Sequence, residues 1–266
     1  MSRFSTEIQK AVLDVSKAFE LRAVSLALGW NDVKSRYNRS RLGAFWASLS
    51  ILIFVCALGP IYARLIGAEV REYMIHLLLG FIVWNYVSSI IMDSGREFIA
   101  SASYLSSFQL SYFSLLFRVV WRNLVVLAYQ MLVFVLFALM LKQPISFAWL
   151  LAPFALLLTT LSALWMGLLM SVLATRFRDL SELMNNILRL VFFLTPIIWM
   201  PRLNPELLIV AELNPFYHLL EIFREPLLHS QINPHSWIIS MIIAIVGWLV
   251  AFPVFARYRA RIAFWL

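Results

Sequence analysis

Charge is what this sequence has least of for its size. Asp, Glu, Lys and Arg make up 14% of 266 residues, against about 25% in a soluble domain. Hydrophobic residues reach 62% where about 45–50% is usual, so too little polar surface remains to cover a water-soluble globule. The same figures exclude a disordered chain. A single cysteine, Cys56, leaves no partner for an intrachain disulfide and, lying in an apolar run, says nothing of redox compartment. None of the eight glycines precedes a lysine, so the Gly-x-x-x-x-Gly-Lys-Ser/Thr loop that cradles nucleotide phosphates is missing. His76, His218, His229 and His235 are scattered, which leaves no metal-ligand spacing and no metal site to expect. No Asp-x-Asp is present and no paired carboxylates stand in a candidate membrane cavity, so no catalytic residue is assigned. Asp93, Asp179 and Glu182 fall at the ends of apolar runs, whereas an ion-coupled transporter places acids mid-membrane.

What the chain has instead is long apolar runs, and it reads as an all-α integral membrane protein. A bilayer-crossing helix takes roughly 20 apolar residues. Six candidate spans follow, near residues 44–63, 74–92, 120–141, 147–174, 183–200 and 236–256. The fourth is longer than needed and tolerates Pro153 near one end. The fifth is interrupted by Arg189 and Pro196, and is included because the topology fails without it.

Six spans put seventeen Lys and Arg on one side of the membrane and five on the other, so both termini are expected in the cytoplasm. The net charge of +8 then reads as a positive-inside signature with attraction to anionic lipid heads. A nucleic-acid footprint would cluster in a soluble module, so no nucleic-acid partner is expected. Near the N-terminus, Phe4, Ile8, Val12, Val15, Phe19, Ala23 and Leu26 recur at helical spacing, with Arg3, Glu7, Lys10, Asp14 and Lys17 opposite. Residues 1–33 are therefore expected to form an amphipathic helix in the cytoplasmic interface; packing on a soluble partner is the alternative. Residues 34–258 would form the membrane domain and 259–266 a short cytoplasmic tail. Five of the ten prolines crowd into residues 201–235. Asn204-Pro205 and Asn214-Pro215 read as helix starts, with short helices near 206–212 and 216–229. Broken helices at membrane depth survive only against protein or a water-lined cavity, so this segment is expected to re-enter from the external side.

Three stretches together resemble a known family. Ser35-Arg36-Tyr37-Asn38-Arg39-Ser40-Arg41-Leu42-Gly43, leading into Ala44-Phe45-Trp46, is similar to the approach to the first span in ABC-2 type permeases, the membrane subunits that export O-antigen, capsular polysaccharide or teichoic acid. Arg176-Phe177-Arg178-Asp179-Leu180 after the fourth span and Asn214-Pro215-Phe216-Tyr217-His218-Leu219-Leu220 before the last agree. The likeness spans about residues 34–258. One departure is the Ala44-Phe45 after Gly43, where the family would have Pro or Phe directly. The resemblance implies a homodimer in a bacterial inner membrane, working with two copies of a separate ATPase that supplies ATP and Mg, so this chain carries no cofactor and is not itself an enzyme. The substrate it implies is a lipid-linked polysaccharide. An integral-membrane enzyme acting on lipid-linked sugars, or an ATPase-independent transporter or channel, are the alternatives.

Under that reading a pyrophosphate end group must be captured, which suits the planar fork of arginine. Arg36, Arg39 and Arg41 at the mouth of the first span are the first candidates, and Arg118 and Arg122, one helical turn apart, the second. Snorkelling for topology is the competing role for each. Sugars stack their C–H faces on rings, so Trp84, Tyr86, Phe192, Phe193, Trp199, Phe216 and Tyr217 are candidate channel-lining residues, although interfacial belts account for most membrane aromatics. Arg96, Glu97 and Phe98, expected to begin a short cytoplasmic helix, and Arg176, Arg178 and Asp179 are the candidate contacts to an ATPase.

Overall fold

The computed structural model describes residues 3–37, 43, 45–107, 110–203 and 205–266, and every regular element among them is helical. Five helices are long and apolar enough to cross a membrane. They are α3 (Phe45–Leu65), α4 (Val70–Ala100), α6 (Tyr112–Met140), α7 (Ala152–Arg176, extended at its start by a 3-10 turn over Phe147–Leu151) and α11 (Pro234–Trp265). Before them come α1 (Arg3–Glu20) and α2 (Arg22–Tyr37), and between them lie α5 (Ala102–Ser107), α8 (Leu180–Leu194), α9 (Leu208–Glu212) and α10 (Pro215–Arg224).

The centre of the bundle is α4 against α7. Lipid tails are as apolar as any side chain, so association there depends on close approach of small residues and on interhelical hydrogen bonds. Gly167 of α7 lies directly on Ser94 of α4, and Gly95 faces Met170 and Ala174. Ser171 donates to the Ser94 carbonyl at 2.9 Å, and the Tyr86 and Thr160 hydroxyls meet at 2.7 Å. By these contacts α4 and α7 run parallel. α11 lies beside α7, with Trp248 donating to the Leu161 carbonyl at 3.1 Å. α3 is the least enclosed span and turns into α4 through Gly67, whose φ of +71° suits a residue without Cβ.

α4 exceeds the expected 74–92 at both ends. Its 31 residues extend about 46 Å, and Arg96, Glu97 and Phe98 occupy its last turns instead of opening a separate helix. The helix continues past Asp93 because its acids find partners within the protein, as described below.

The N-terminal segment also departs from expectation. It is two helices with a turn at Leu21, and neither is a free interfacial rod. α1 packs on α11 and α6, and α2 on α6. The packed face is Ala11, Asp14, Ala18, Ser25 and Val33, while Val12, Phe19 and Leu26 of the expected stripe are exposed; the Phe4 side chain lies outside the described residues. The stripe is thus real but rotated, because protein claims the small residues beside it and leaves the large ones outward. Asp14 fixes the arrangement, accepting from Arg259 at 2.9 Å and from the Phe113 N–H at 3.1 Å. Burial pushes its carboxyl up from the ordinary value, and Arg259 and the Phe113 N–H act against that rise. This contact gathers the first and last helices at one end of the bundle.

The expected span over 183–200 is cut short. α8 has fifteen residues, about 22 Å, and ends before Pro196 because Thr195 takes the extended conformation that a following proline enforces (φ −84°, ψ 133°). The Proline-rich segment keeps its Asn214 cap, which accepts from the Phe216 N–H at 3.0 Å. Its two short helices differ from the expected ranges: the first begins with a 3-10 turn over Pro205–Leu207, and the second passes at Arg224 into a π-turn over Glu225–His229.

Candidate functional site

Two sets of residues singled out by sequence are brought together, and they lie at different levels of the bundle. The first is charged. Arg118 and Arg122 project from α6 toward α2 and α4. Arg118 grips Asp32 through both faces of its fork, at 2.6 and 2.7 Å, and reaches Glu97 at 3.3 Å and the Ser101 hydroxyl at 3.2 Å. Arg122 lies 3.0 Å from Asp32, 3.1 Å from Asp93 and 3.6 Å from Glu97. Asn123 donates to the same Asp93 oxygen at 3.1 Å. Three carboxylates therefore meet two guanidinium groups. Glu97 and Arg122 are 5% and 8% exposed, so the pairing is desolvated, and breaking it would strand a charge. Both guanidinium groups are thus held by carboxylates inside the protein, and among their N–H groups the Arg122 Nε has no partner among the described residues.

The second set is aromatic. Phe54 of α3 meets Phe81 at 5.1 Å between ring centroids, Phe81 meets Phe192 at 5.5 Å, Phe192 meets Trp84 at 5.7 Å, and Trp84 meets Phe216 at 5.4 Å. Phe193 adjoins Phe192 at 5.3 Å. This continuous series runs from α3 across α4 and α8 to α10. Beside it, α4 and α8 leave a cavity of about 430 Å³, lined by Trp84, Ser88, Ser89 and Asp93 of α4 and by Asn185, Arg189, Phe192 and Phe193 of α8. Each helix contributes both rings and polar groups, so the cavity offers apolar faces and hydrogen bonds to one ligand.

The remaining candidates are dispersed. Tyr86 is buried in the α4–α7 interface, and Trp199 donates to the Phe193 carbonyl at 3.1 Å. Tyr217, next to Phe216, lines a separate cavity along another face of α10. Phe98 is fully buried against Tyr112, with ring centroids 5.2 Å apart, whereas Arg96 is exposed. Arg176 ends α7 over the rings of Phe177 and Trp265, and Arg178 and Asp179 are exposed at the turn into α8. Arg36 is exposed at the end of α2, while Arg39 and Arg41 lie outside the described residues.

Sequence reasoning passed over Ser88, Ser89, Asn185 and Arg189. Their signal was present: Asn185, Arg189, Phe192 and Phe193 fall at helical spacing on α8, polar and aromatic on one strip. It also passed over Asp32 and Asp93, whose partners are remote in the chain.

Long apolar helices, small-residue packing and a polar-aromatic groove within the spans define a multi-pass integral membrane protein. The ABC-2 type transporter family profile matches residues 24–228. The chain belongs to that family, and is a transporter's membrane component. Two relatives, each an O-antigen export system permease protein RfbA of Klebsiella pneumoniae, are 24% and 23% identical over 236 residues. Each alignment covers 87% of this chain and 90% of the relative.

Proposed function

We propose that this chain is the permease subunit of an ATP-driven exporter that moves a lipid-linked polysaccharide of the O-antigen or capsule type across a bacterial inner membrane. The observation that carries the reading is the ring series beside the polar groups of α4 and α8, in a chain resembling O-antigen export permeases along nearly its whole length. Sugar rings present apolar C–H faces and polar edges, and a row of aromatic rings lets a polymer advance without one deep well. Two chains would form the channel, since α8 buries only Leu188 of its own residues and leaves Leu183, Leu190 and Phe193 for a second copy to cover.

The proposed topology keeps six crossings with both termini in the cytoplasm. α8 would complete the fifth crossing through the irregular residues 195–200, supported by Tyr73 donating to the Ile198 carbonyl at 2.6 Å. Contact of Phe216 with Trp84, and of Arg224 with Gly80 nearer the start of α4, supports a re-entrant path for α10. Two copies of a separate ATPase would dock at the cytoplasmic end, using the exposed Arg96 and the turn holding Arg178 and Asp179. Arg36, Arg39 and Arg41 would present the first guanidinium cluster to the pyrophosphate.

The test is reconstitution with the partner ATPase in sealed vesicles, following ATP-dependent passage of lipid-linked polysaccharide to the opposite face. Passage that requires both proteins and ATP is expected. Passage without the ATPase, or chemical conversion of the lipid-linked sugar by this chain alone, would replace the reading with one of the alternatives.

A further inference from the structure

At the end of the bundle where α4 begins, a second cavity of about 720 Å³ opens between α4, α10 and the residues Met200, Pro201, Arg202, Pro205 and Leu208. It falls within the roughly 300–1,000 Å³ of small-ligand sites. Its floor contains Arg224, which is 1% exposed. The guanidinium Nη1 donates to the Pro196 carbonyl at 2.5 Å and stands 3.6 Å from Glu221, but Nε and Nη2 have no hydrogen-bond partner among the described residues. His76, 5% exposed, also lines the cavity, and its Nε2 has none among them either. The backbone makes room for this cation: a Cβ on Gly80 would stand 2.7 Å from Nη2. A charge at such depth is costly, and its unused donors add to the cost.

The rest of the lining decides which ligand would use those donors. Glu221 and Glu225 face the same space, with Gln231 and the Tyr217 ring. Arg202 is already paired with Glu72. A fully ionised phosphate, which only accepts, would meet the Glu221 and Glu225 carboxylates, beside a guanidinium that already serves Glu221 and the Pro196 carbonyl. A sugar hydroxyl both donates and accepts, so it can serve Glu225 and Arg224 together while a C–H face rests on Tyr217. We propose that this cavity is a saccharide subsite, holding sugar units of the chain once they have passed the ring series. The inference rests on the polysaccharide reading above and adds a second place of contact to it.

The experiment uses the full chain in lipid nanodiscs, titrated with maltotriose, mannotriose and chitotriose and followed by saturation-transfer NMR, with inorganic pyrophosphate as the anionic probe. At least one trisaccharide should bind, and Glu225→Gln and Tyr217→Leu should each weaken it about tenfold, the first by losing a charge-assisted hydrogen bond and the second by losing a ring face. Glu225 is partly exposed and Tyr217→Leu keeps an apolar side chain in its buried place, so they test the site even if Arg224→Gln fails to fold. Displacement of the sugar by pyrophosphate overturns the proposal. So does loss of binding in Trp84→Leu with none in the Glu225 and Tyr217 variants, which leaves the polysaccharide reading intact. If no trisaccharide binds but vesicle export proceeds, this subsite alone falls. If export fails as well, the reading beneath it falls too.

Discussion

Arg118 and Arg122 show how a single side chain changes meaning once its neighbours are known. Both are forked donors near a span end; Asp32 and Glu97 bind both of them, and Asp93 binds Arg122 as well. Their removal should therefore be felt first in stability. Arg118→Gln is expected to cost roughly 3 kcal/mol, because it leaves Glu97 and Asp32 short of a counter-charge. The double variant Arg118→Gln, Glu97→Gln should recover part of that loss. Thermal unfolding in lipid nanodiscs measures both, and an unchanged melting temperature in the single variant would return Arg118 to the substrate-binding candidates. Arg39 poses the opposite case, a basic residue between two other arginines before the first span. Arg39→Lys keeps the charge and loses the bidentate fork, so polymer affinity should fall about tenfold with insertion unchanged. Lysine serving as well as arginine in the vesicle assay would leave this position as a topology marker.

Helices here are set by their ends and by what they touch. α8 stops where Pro196 dictates, and α4 continues past its apolar run because Asp93 and Glu97 are neutralised by α6. That continuation separates two neighbours proposed for ATPase contact. Phe98 points into the bundle against Tyr112 and Arg96 points out. Phe98→Ala should lose about 3–5 kcal/mol of stability through the cavity it leaves, so its effect on transport would be indirect. Arg96→Ala should unfold at the wild-type temperature while lowering stimulation of the partner's ATP hydrolysis. Equal melting temperatures for the two variants would contradict this assignment of inward and outward faces.

Across the whole molecule, work and structure are divided by level. One end ties α2, α4 and α6 together, and α1 to α11, with buried and part-buried ion pairs. The middle carries the ring series, and the other end holds the polar cavity with Arg224. Export should respond most to the middle. Trp84→Leu with Phe192→Leu removes ring faces while keeping apolar bulk, and should slow polymer passage roughly threefold to tenfold. ATP hydrolysis by the assembled transporter should continue. Equal export rates with the rings removed would show that the polymer takes another route.

The membrane setting, the helical class and five of the crossing helices follow from composition and run length, because lipid demands an uncharged stretch of fixed length wherever the chain lies. The Asn214 cap was legible for a similar reason, being local chemistry between adjacent residues. Contacts between distant segments were not. Asp32 to Arg118 crosses 86 positions and Asp14 to Arg259 crosses 245, and no period or motif relates residues so far apart. Trp84, Phe192, Phe193 and Phe216 could be named as candidates from type and position, but Tyr86 and Trp199 satisfied the same criteria. Only the packing of α4 against α7 and α8 sorted them, since a ring's direction depends on which helix its face meets. Arg224 is the furthest such case: an ordinary basic residue in a proline-rich segment became a buried cation through Gly80, on a helix more than a hundred residues earlier.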